Sequence, residues 1–451
     1  MPLQAFFFII VVMNPLQTRW LIVLIVLTAL AALSWCVVRD INLTEQYPGD
    51  LRNRVIGARM QMEGKSPYFY HWNTGDSDRY YDWNNNSPDA LISNVTATPF
   101  FHQLISPVAN FPQKTIAWIW LVFAYVSHAI IMYCSYKIAV TRIQKLSTLL
   151  IGFMFLFTSA WTETIYNGQM YFIIALFAML FFTAVRNNRS VPAAFLAGVL
   201  GMSLILIKFT LVLYLLPFLL LASQYNRRYK FTLIAGVFVT LATAFAGERK
   251  LEYWHDYSAA VKDHIKVHQG LQPATRDNFI LPLHPAIDGW QRKDIALAQD
   301  RGFYKNQDAN SNVFVFINIL SGRRIPVTLL SALLILCLGV LSVLYFKKFP
   351  FRAPHGLFPV AIFGFLLHMT TDLFSPVHRF HYYAAQWAFP LLLAACYRNQ
   401  SFSPVLMIGV LIGMFLNGLP ASLFPMQHTI GEYVIYASLL GLLLTYKNRK
   451  A

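Results

Sequence analysis

Charged side chains are scarce in this chain. Asp, Glu, Lys and Arg make up 12% of its 451 residues, against roughly 25% in soluble globular proteins. With 57% of the residues hydrophobic, a soluble multidomain protein is excluded and the bilayer becomes the expected solvent. Cysteine is scarcer still. Cys36, Cys134, Cys337 and Cys396 all fall inside apolar runs, which argues against a disulfide framework and a cysteine-based metal site. A dinucleotide fingerprint, a P-loop and a GxSxG elbow are all missing, so nucleotide-driven transport and serine hydrolysis have no support. No low-complexity tract and no repeat of fixed period is present. The net charge of +16 does not point to nucleic acid, because the basic residues punctuate apolar runs instead of gathering in one tract. Phe6 to Val12 is apolar but too short to span, and no charge precedes it as in a signal peptide; Met13 offers an alternative start.

What the chain has in quantity is apolar sequence and aromatic residues, the latter at 16%, enough to line two membrane interfaces. Twelve spans are expected, near 20–38, 116–137, 147–162, 170–185, 191–207, 209–224, 231–247, 326–346, 355–372, 382–397, 403–419 and 430–446. Two long polar stretches interrupt them, 39–115 and 248–325. Charge fixes the orientation. With the N-terminus inside, the short cytoplasmic connections hold Lys137, Arg142 and Lys145, then Arg186 and Arg189, then Arg227, Arg228 and Lys230, then Lys347, Lys348 and Arg352, and finally Arg398. The short outer turns hold only Lys208 and Arg379. That asymmetry is what the positive-inside rule requires, and all 20 Asp and Glu residues then lie on the outer side. The expected fold is therefore an all-α polytopic membrane protein, one membrane domain over residues 1–451. Both termini are cytoplasmic, and two long extracytoplasmic loops carry interfacial helices.

Three stretches hold candidate chemistry. In the first loop, Leu51, Val55, Ala58 and Met62 recur at helical spacing, with Arg52, Arg59 and Glu63 off the stripe. This predicts an amphipathic interfacial helix closed by Gly64. Asp50 stands just ahead of it, either as an N-cap or as a carboxylate able to act as a general base. In the second loop His264 and His268 share a helix face. With no Glu after His264 and no third ligand, a solvated helix is expected there and no metal site. At the outer end of the ninth span, TTDLFSPVHRFHYY (370–383) gathers Asp372, His378, Arg379, His381 and Tyr382 at membrane depth, where ionisable groups are costly. Lys208 interrupts an apolar stretch and either snorkels to the interface or holds an anionic headgroup. A carboxylate, several His and several cations on one membrane face suit chemistry on a lipid-linked phosphate.

At these same segments the chain resembles glycosyltransferase family 87, polytopic GT-C enzymes that use polyprenyl-phosphate sugars as donors. The matching pieces are Asp50 followed by ARMQMEGKSPY (58–68), TPFFHQLISPVANFP (98–112), YNGQMYFIIAL (166–176), AGVLGMSLILIK (197–208) and SPVHRFHYY (375–383). The resemblance implies a GT-C-like bundle with its site between the first outer loop and the membrane. It implies Asp50 as the catalytic base and matches Lys208, His381 and Gln169 to substrate-binding positions; with His378 and Arg379 beside His381, these are the residues expected to bind the donor phosphate and substrate. The implied partners are a polyprenyl-phosphate-linked sugar, mannose-like or a pentose, and a lipid or glycan acceptor in the plasma membrane. No cofactor, metal or nucleic acid is called for. Asp76-Ser77-Asp78 fits a DxD motif literally, but lies in an Asn-rich insertion and reads as a solvated loop. Arg379 and Phe380 depart from the family's paired His. Two other classes are weighed: a transporter or flippase of a lipid-linked or anionic substrate, which twelve spans would suit, and a non-catalytic assembly factor, for which Asp50 would be dispensable.

Overall fold

The twelve apolar runs fold into helices of three kinds, distinguished by how much of a bilayer each can cross. The computed structural model describes residues 15–45, 48–73, 75–81, 93, 95–247, 249–268, 271, 312–321, 325–377, 379–397, 404–419, 423–424 and 426–446, and among these there is no β-strand. The helices are α1 (Pro15–Thr44), α2 (Gly49–Met62), α3 (Pro99–Ala109), α4 (Gln113–Ile138), α5 (Arg142–Phe155), α6 (Ser159–Asn167), α7 (Tyr171–Arg186) and α8 (Val191–Ile207). After them come α9 (Phe209–Gln224, largely 3-10), α10 (Arg227–Phe245), α11 (Lys250–His268), α12 (Val313–Ser321), α13 (Val327–Lys348) and α14 (Leu357–Leu373). A 3-10 turn, His381–Trp387, leads into α15 (Ala388–Cys396), and α16 (Pro404–Gly418) and α17 (Gln427–Thr445) follow. Several starts are set locally: the hydroxyls of Thr98, Thr141, Thr158 and Ser190 and the amide oxygen of Asn226 each accept from a backbone N–H one turn on.

Five helices are long and apolar enough to cross a membrane: Val26–Thr44 within α1, α4, α10, α13 and α17. A sixth span forms if α5 and α6, bent by 51° to each other, are taken together. Five more apolar helices, α7, α8, α9, α14 and α16, run to 17 residues at most. At about 1.5 Å per residue such a helix reaches roughly 26 Å, short of a hydrocarbon core of about 30 Å. The run expected at 382–397 is broken between the 3-10 turn and α15. Of the twelve spans expected, five or six are therefore long enough to cross a membrane among the described residues. Many large apolar side chains face outward, among them Leu24, Leu27, Val122, Phe238, Ile335 and Val343, as they do where lipid and not water surrounds the bundle. The chain is an integral membrane protein.

Small residues let backbones meet where the bundle is tightest. At the crossing of α8 and α10, a Cβ on Gly198 would come within 2.0 Å of the Leu233 carbonyl oxygen, and one on Gly236 within 2.3 Å of that of Phe195. Such close approach is how helices associate when lipid supplies no hydrophobic drive.

The first loop departs from its expected form. α2 does not lie on an interface with a wet face. Leu51, Arg52, Asn53, Val55, Ile56, Ala58, Arg59 and Met60 are all buried, against α3 and a cluster of Trp72, Tyr80 and Tyr81. Two arginines make this possible by donating to carbonyl oxygens distant in sequence. Arg52 bonds Tyr81, while Arg59 bonds Ala109 at 2.7 Å, Arg79 at 3.0 Å and Phe111 at 3.2 Å. A local stripe analysis counts both as exposed because their acceptors lie 20 to 52 residues away. The loop also begins later than residue 39, since α1 runs on to Thr44. Its Asp40 is buried and accepts from Tyr125 Oη and Trp161 Nε1, both at 2.7 Å. Of the second loop, α11 and α12 are described, while most of the stretch between them lies outside the described residues.

Candidate functional site

An open cavity of about 510 Å³ lies where α2, α8, α11, α13 and α14 converge. Its polar lining includes Asp50, Asn53 and Arg54 from α2, Gln169 from the turn before α7, and Lys208 and Asp372 from the ends of α8 and α14. Tyr171, Tyr257, Tyr382 and Tyr383 line it too. Its apolar lining includes Val261 and Ile265 of α11 and Val327, Leu330 and Leu334 of α13.

Asp50 sits inside the first turn of α2 and not ahead of it. The N-cap is Pro48, and no side chain caps the helix. The half-buried Asp50 carboxylate accepts a hydrogen bond from Gln169 Nε2. The other end of that amide, Oε1, accepts from Arg54 Nη2 at 2.6 Å. Gln169 is held by Gly168, whose φ of 64° is the left-handed conformation that closes α6 and turns the chain toward α2. Gly168 also packs where a Cβ would come within 2.4 Å of Leu51. Burial raises the pKa of Asp50 above the ordinary carboxylate value, and the charge of Arg54 and the bond from Gln169 oppose that rise.

Lys208 lines the same cavity. Its Nζ donates to Asp372 Oδ1 and lies 4.8 Å from the centre of the Tyr383 ring and 5.1 Å from that of Tyr171. Asp372 Oδ2 accepts from Arg379 Nε at 2.8 Å and Gln386 Nε2 at 2.9 Å. Arg379 is buried and reaches on to Glu432 of α17, with Nη1 to Oε2 at 2.5 Å. Glu432 Oε1 accepts from Trp387 Nε1 at 2.6 Å. Two cations and two carboxylates thus form one network that runs from Lys208 and Asp372 on the cavity wall to the buried Arg379 and Glu432.

The residues expected from sequence are brought together unevenly. Asp50, Gln169 and Lys208 line the cavity. Arg379 and His381 are not among its lining residues: Arg379 lies behind Asp372, and the buried His381 ring packs 4.3 Å from that of His428. His378 lies outside the described residues. His264 does line the cavity, so α11 forms its cover and is not a freely solvated helix; the side chain of His268 lies outside the described residues. Asp76 is exposed and accepts from Tyr70 Oη and the Asn73 N–H, each at 2.9 Å, away from the cavity lining. Sequence reasoning missed Arg54 and Glu432. Arg54 was legible as the residue one helical turn beyond Asp50, and Glu432 as the lone carboxylate in the last apolar run.

Comparison with known proteins adds the following. The profile of glycosyltransferase family 87 matches residues 96–276. The resemblance drawn from the sequence is borne out over that stretch, which includes Gln169 and Lys208 but neither Asp50 nor the 370–383 turn. No curated protein matches the chain. Among solved structures, the oligosaccharyltransferase of Archaeoglobus fulgidus in its apo form is 12% identical, with a TM-score of 0.41 over 94% of this chain and 57% of that one. ArnT from Cupriavidus metallidurans, bound to undecaprenyl phosphate, is 13% identical, with a TM-score of 0.39 over 95% of this chain and 77% of that one. The A. fulgidus oligosaccharyltransferase AglB, in complex with an inhibitory peptide and a dolichol-phosphate, is 12% identical, with a TM-score of 0.40 over 94% and 56%. The chain spans a little over half the length of the oligosaccharyltransferases.

Proposed function

We propose that this protein is a membrane glycosyltransferase that moves a sugar from a polyprenyl-phosphate donor to a hydroxyl of a lipid- or glycan-linked acceptor, with inversion at the anomeric carbon. The observation that carries the reading is the make-up of the cavity. Two carboxylates, a guanidinium, an ammonium and four tyrosines line it. Apolar side chains of α13 line it too, and the outer residues of that helix, Leu329, Ile335, Leu336 and Val340, are exposed as lipid-facing side chains are. A headgroup with phosphate and sugar fits the polar side chains and an isoprenoid tail the apolar ones. The family 87 match over residues 96–276 supports the same reading.

Two carboxylates line the cavity, and their surroundings separate their roles. Asp372 accepts three hydrogen bonds, from Lys208, Arg379 and Gln386, and has little basicity left to offer. Asp50 accepts one, from Gln169, and its pKa is raised by burial. A base tuned upward from the carboxylate range toward the working pH is the better proton acceptor. In the step as proposed, Asp50 takes the proton of the acceptor hydroxyl and that oxygen bonds to the anomeric carbon. The bond from carbon to phosphate oxygen breaks, and polyprenyl phosphate departs with the electron pair. Cationic groups on the wall stabilise the departing charge, the kind of help that usually contributes most to catalysis. The reaction draws on no cofactor. By the charge distribution of the loops, the site lies on the extracytoplasmic face of the plasma membrane and both termini are cytoplasmic.

Transfer of labelled sugar from a panel of polyprenyl-phosphate donors, in membranes carrying wild type or Asp50→Asn, tests the reading. Transfer by the wild type and a loss of more than about 100-fold in the variant are expected, the scale of a missing general base. Undiminished transfer by Asp50→Asn would remove Asp50 from the chemistry. Absence of transfer from every donor would favour a transporter or flippase of a lipid-linked substrate.

A further inference from the structure

The four tyrosines of the cavity lining differ in what their hydroxyls meet. Those of Tyr171 and Tyr383 interact with one another. Those of Tyr257 and Tyr382 have no hydrogen-bond partner among the described residues, and neither is shut from solvent. Both of these side chains are partly exposed. Packing fixes where they stand. The centre of the Tyr382 ring lies 5.4 Å from that of Phe380, 5.2 Å from that of Tyr383 and 5.8 Å from that of Tyr171. The Tyr257 ring lies 5.9 Å from Tyr68, 5.8 Å from Trp254 and 6.4 Å from Phe209. Tyr382 is also tied to the element that positions Asp50. The Thr164 carbonyl of α6 accepts from the Gln169 backbone N–H at 2.9 Å, and the Thr164 hydroxyl donates to the Tyr382 carbonyl oxygen at 3.4 Å. Of the charges around it, that of Asp50 bears most on the Tyr382 hydroxyl.

We infer that Tyr382 and Tyr257 bind hydroxyls of the transferred sugar, and that they make the site select a fully hydroxylated sugar over its deoxy analogues. The inference rests on the glycosyltransferase reading and deepens it. A tyrosine hydroxyl both donates and accepts and is neutral at physiological pH, so it matches another neutral hydroxyl. In an inverting displacement the anomeric carbon lies between the base and the departing phosphate. A hydroxyl group beside Asp50 therefore lies along the sugar and not along the isoprenoid tail. Because the rings are already packed, little side-chain freedom is lost when they bind. A sugar that lacks one of the matching hydroxyls leaves a tyrosine hydroxyl unpaired in the occupied site, which is how a polar pocket rejects an analogue. The two contacts come from separate elements, the 3-10 turn and α11, so α11 completes the sugar subsite.

The test is kcat/KM for transfer, in membranes carrying wild type, Tyr382→Phe or Tyr257→Phe. The donors are the polyprenyl-phosphate sugar that the wild type accepts and its monodeoxy analogues, each lacking one ring hydroxyl. Each variant keeps its ring and is expected to lose about 3- to 10-fold on the parent donor, the scale of one neutral hydrogen bond. For each tyrosine, one deoxy donor should cost the wild type at least as much and cost the matching Phe variant little further. A residue that acted only through the fold would not produce that pairing. Equal losses of a variant on every donor, or full kcat/KM in both variants on the parent donor, would overturn the inference and leave the glycosyltransferase reading standing. A wild type that transfers from no donor would refute that reading, and the inference with it.

Discussion

Glu432 is the partner whose removal should be felt most, because it balances a guanidinium that is fully buried. Arg379 is 0% exposed, and its carboxylate partners Asp372 and Glu432 are 3% and 1% exposed. The Glu432 oxygens are divided between two donors, Oε1 for Trp387 and Oε2 for Arg379. Glu432→Gln keeps the volume but leaves one acceptor oxygen for two donors, and turns an amide N–H₂ toward one of them. It also leaves Lys208 and Arg379 facing Asp372 alone. Two charges about 4 Å apart at an effective dielectric of about 20 attract by roughly 4 kcal/mol. Breaking one side of a buried pair typically costs about 3–5 kcal/mol. We expect that loss in equilibrium unfolding of the full chain in mixed micelles. A cycle with Arg379→Met separates the charge effect from simple loss of packing. Once the cation is gone, Glu432→Gln should cost about 1 kcal/mol or less, because an apolar replacement of both partners is often neutral. Additive losses, or a Glu432→Gln variant within about 1 kcal/mol of wild type, would refute the view that the pair acts as a charge-balanced unit. Transfer activity should fall with stability, since the network reaches the cavity wall through Asp372.

Two other outcomes concern Asp50 and the turn that carries Gln169. Because burial raises the pKa of Asp50, the fold binds its proton more tightly than the unfolded chain does. The stability this gives is complete below the ordinary carboxylate pKa and is lost as pH rises through the raised value. Asp50→Asn, neutral at every pH, should therefore be as stable as wild type or more so at neutral pH while inactive in transfer; chemical unfolding at pH 5 and pH 8 checks the sign. Gly168→Ala should cost about 1–2 kcal/mol for a left-handed backbone and about as much again for a Cβ pressed to within 2.4 Å of Leu51. If Gly168 sets the position of Gln169 against Asp50, turnover should drop by about tenfold or more with little change in donor affinity. Unchanged turnover would mean that the turn has slack.

Some of this was legible because the physics is local. An apolar run favours a helix, so the described apolar runs are helical, although only five or six helices are long enough to span. Asp50, Gln169 and Lys208 stood out because a polar group at the edge of an apolar run is costly unless it has a task or a partner. The 370–383 turn stood out for the same reason, although of its described ionisable groups only Asp372, Tyr382 and Tyr383 line the cavity. Sequence could not tell which of the ionisable residues would find one another. Arg59 reads as a wet-face residue until Ala109 and Phe111 supply carbonyl oxygens to it. Arg379 reads as a free cation until Glu432, 53 residues on, closes on it. Arg54 and Asp50 meet through a glutamine more than a hundred residues away. The sequence by itself determined which segments leave water and which polar groups enter the membrane with them. Tertiary structure alone decided which of those groups neutralise each other and which line the cavity, because a partner's identity depends on distances that close only when the helices pack.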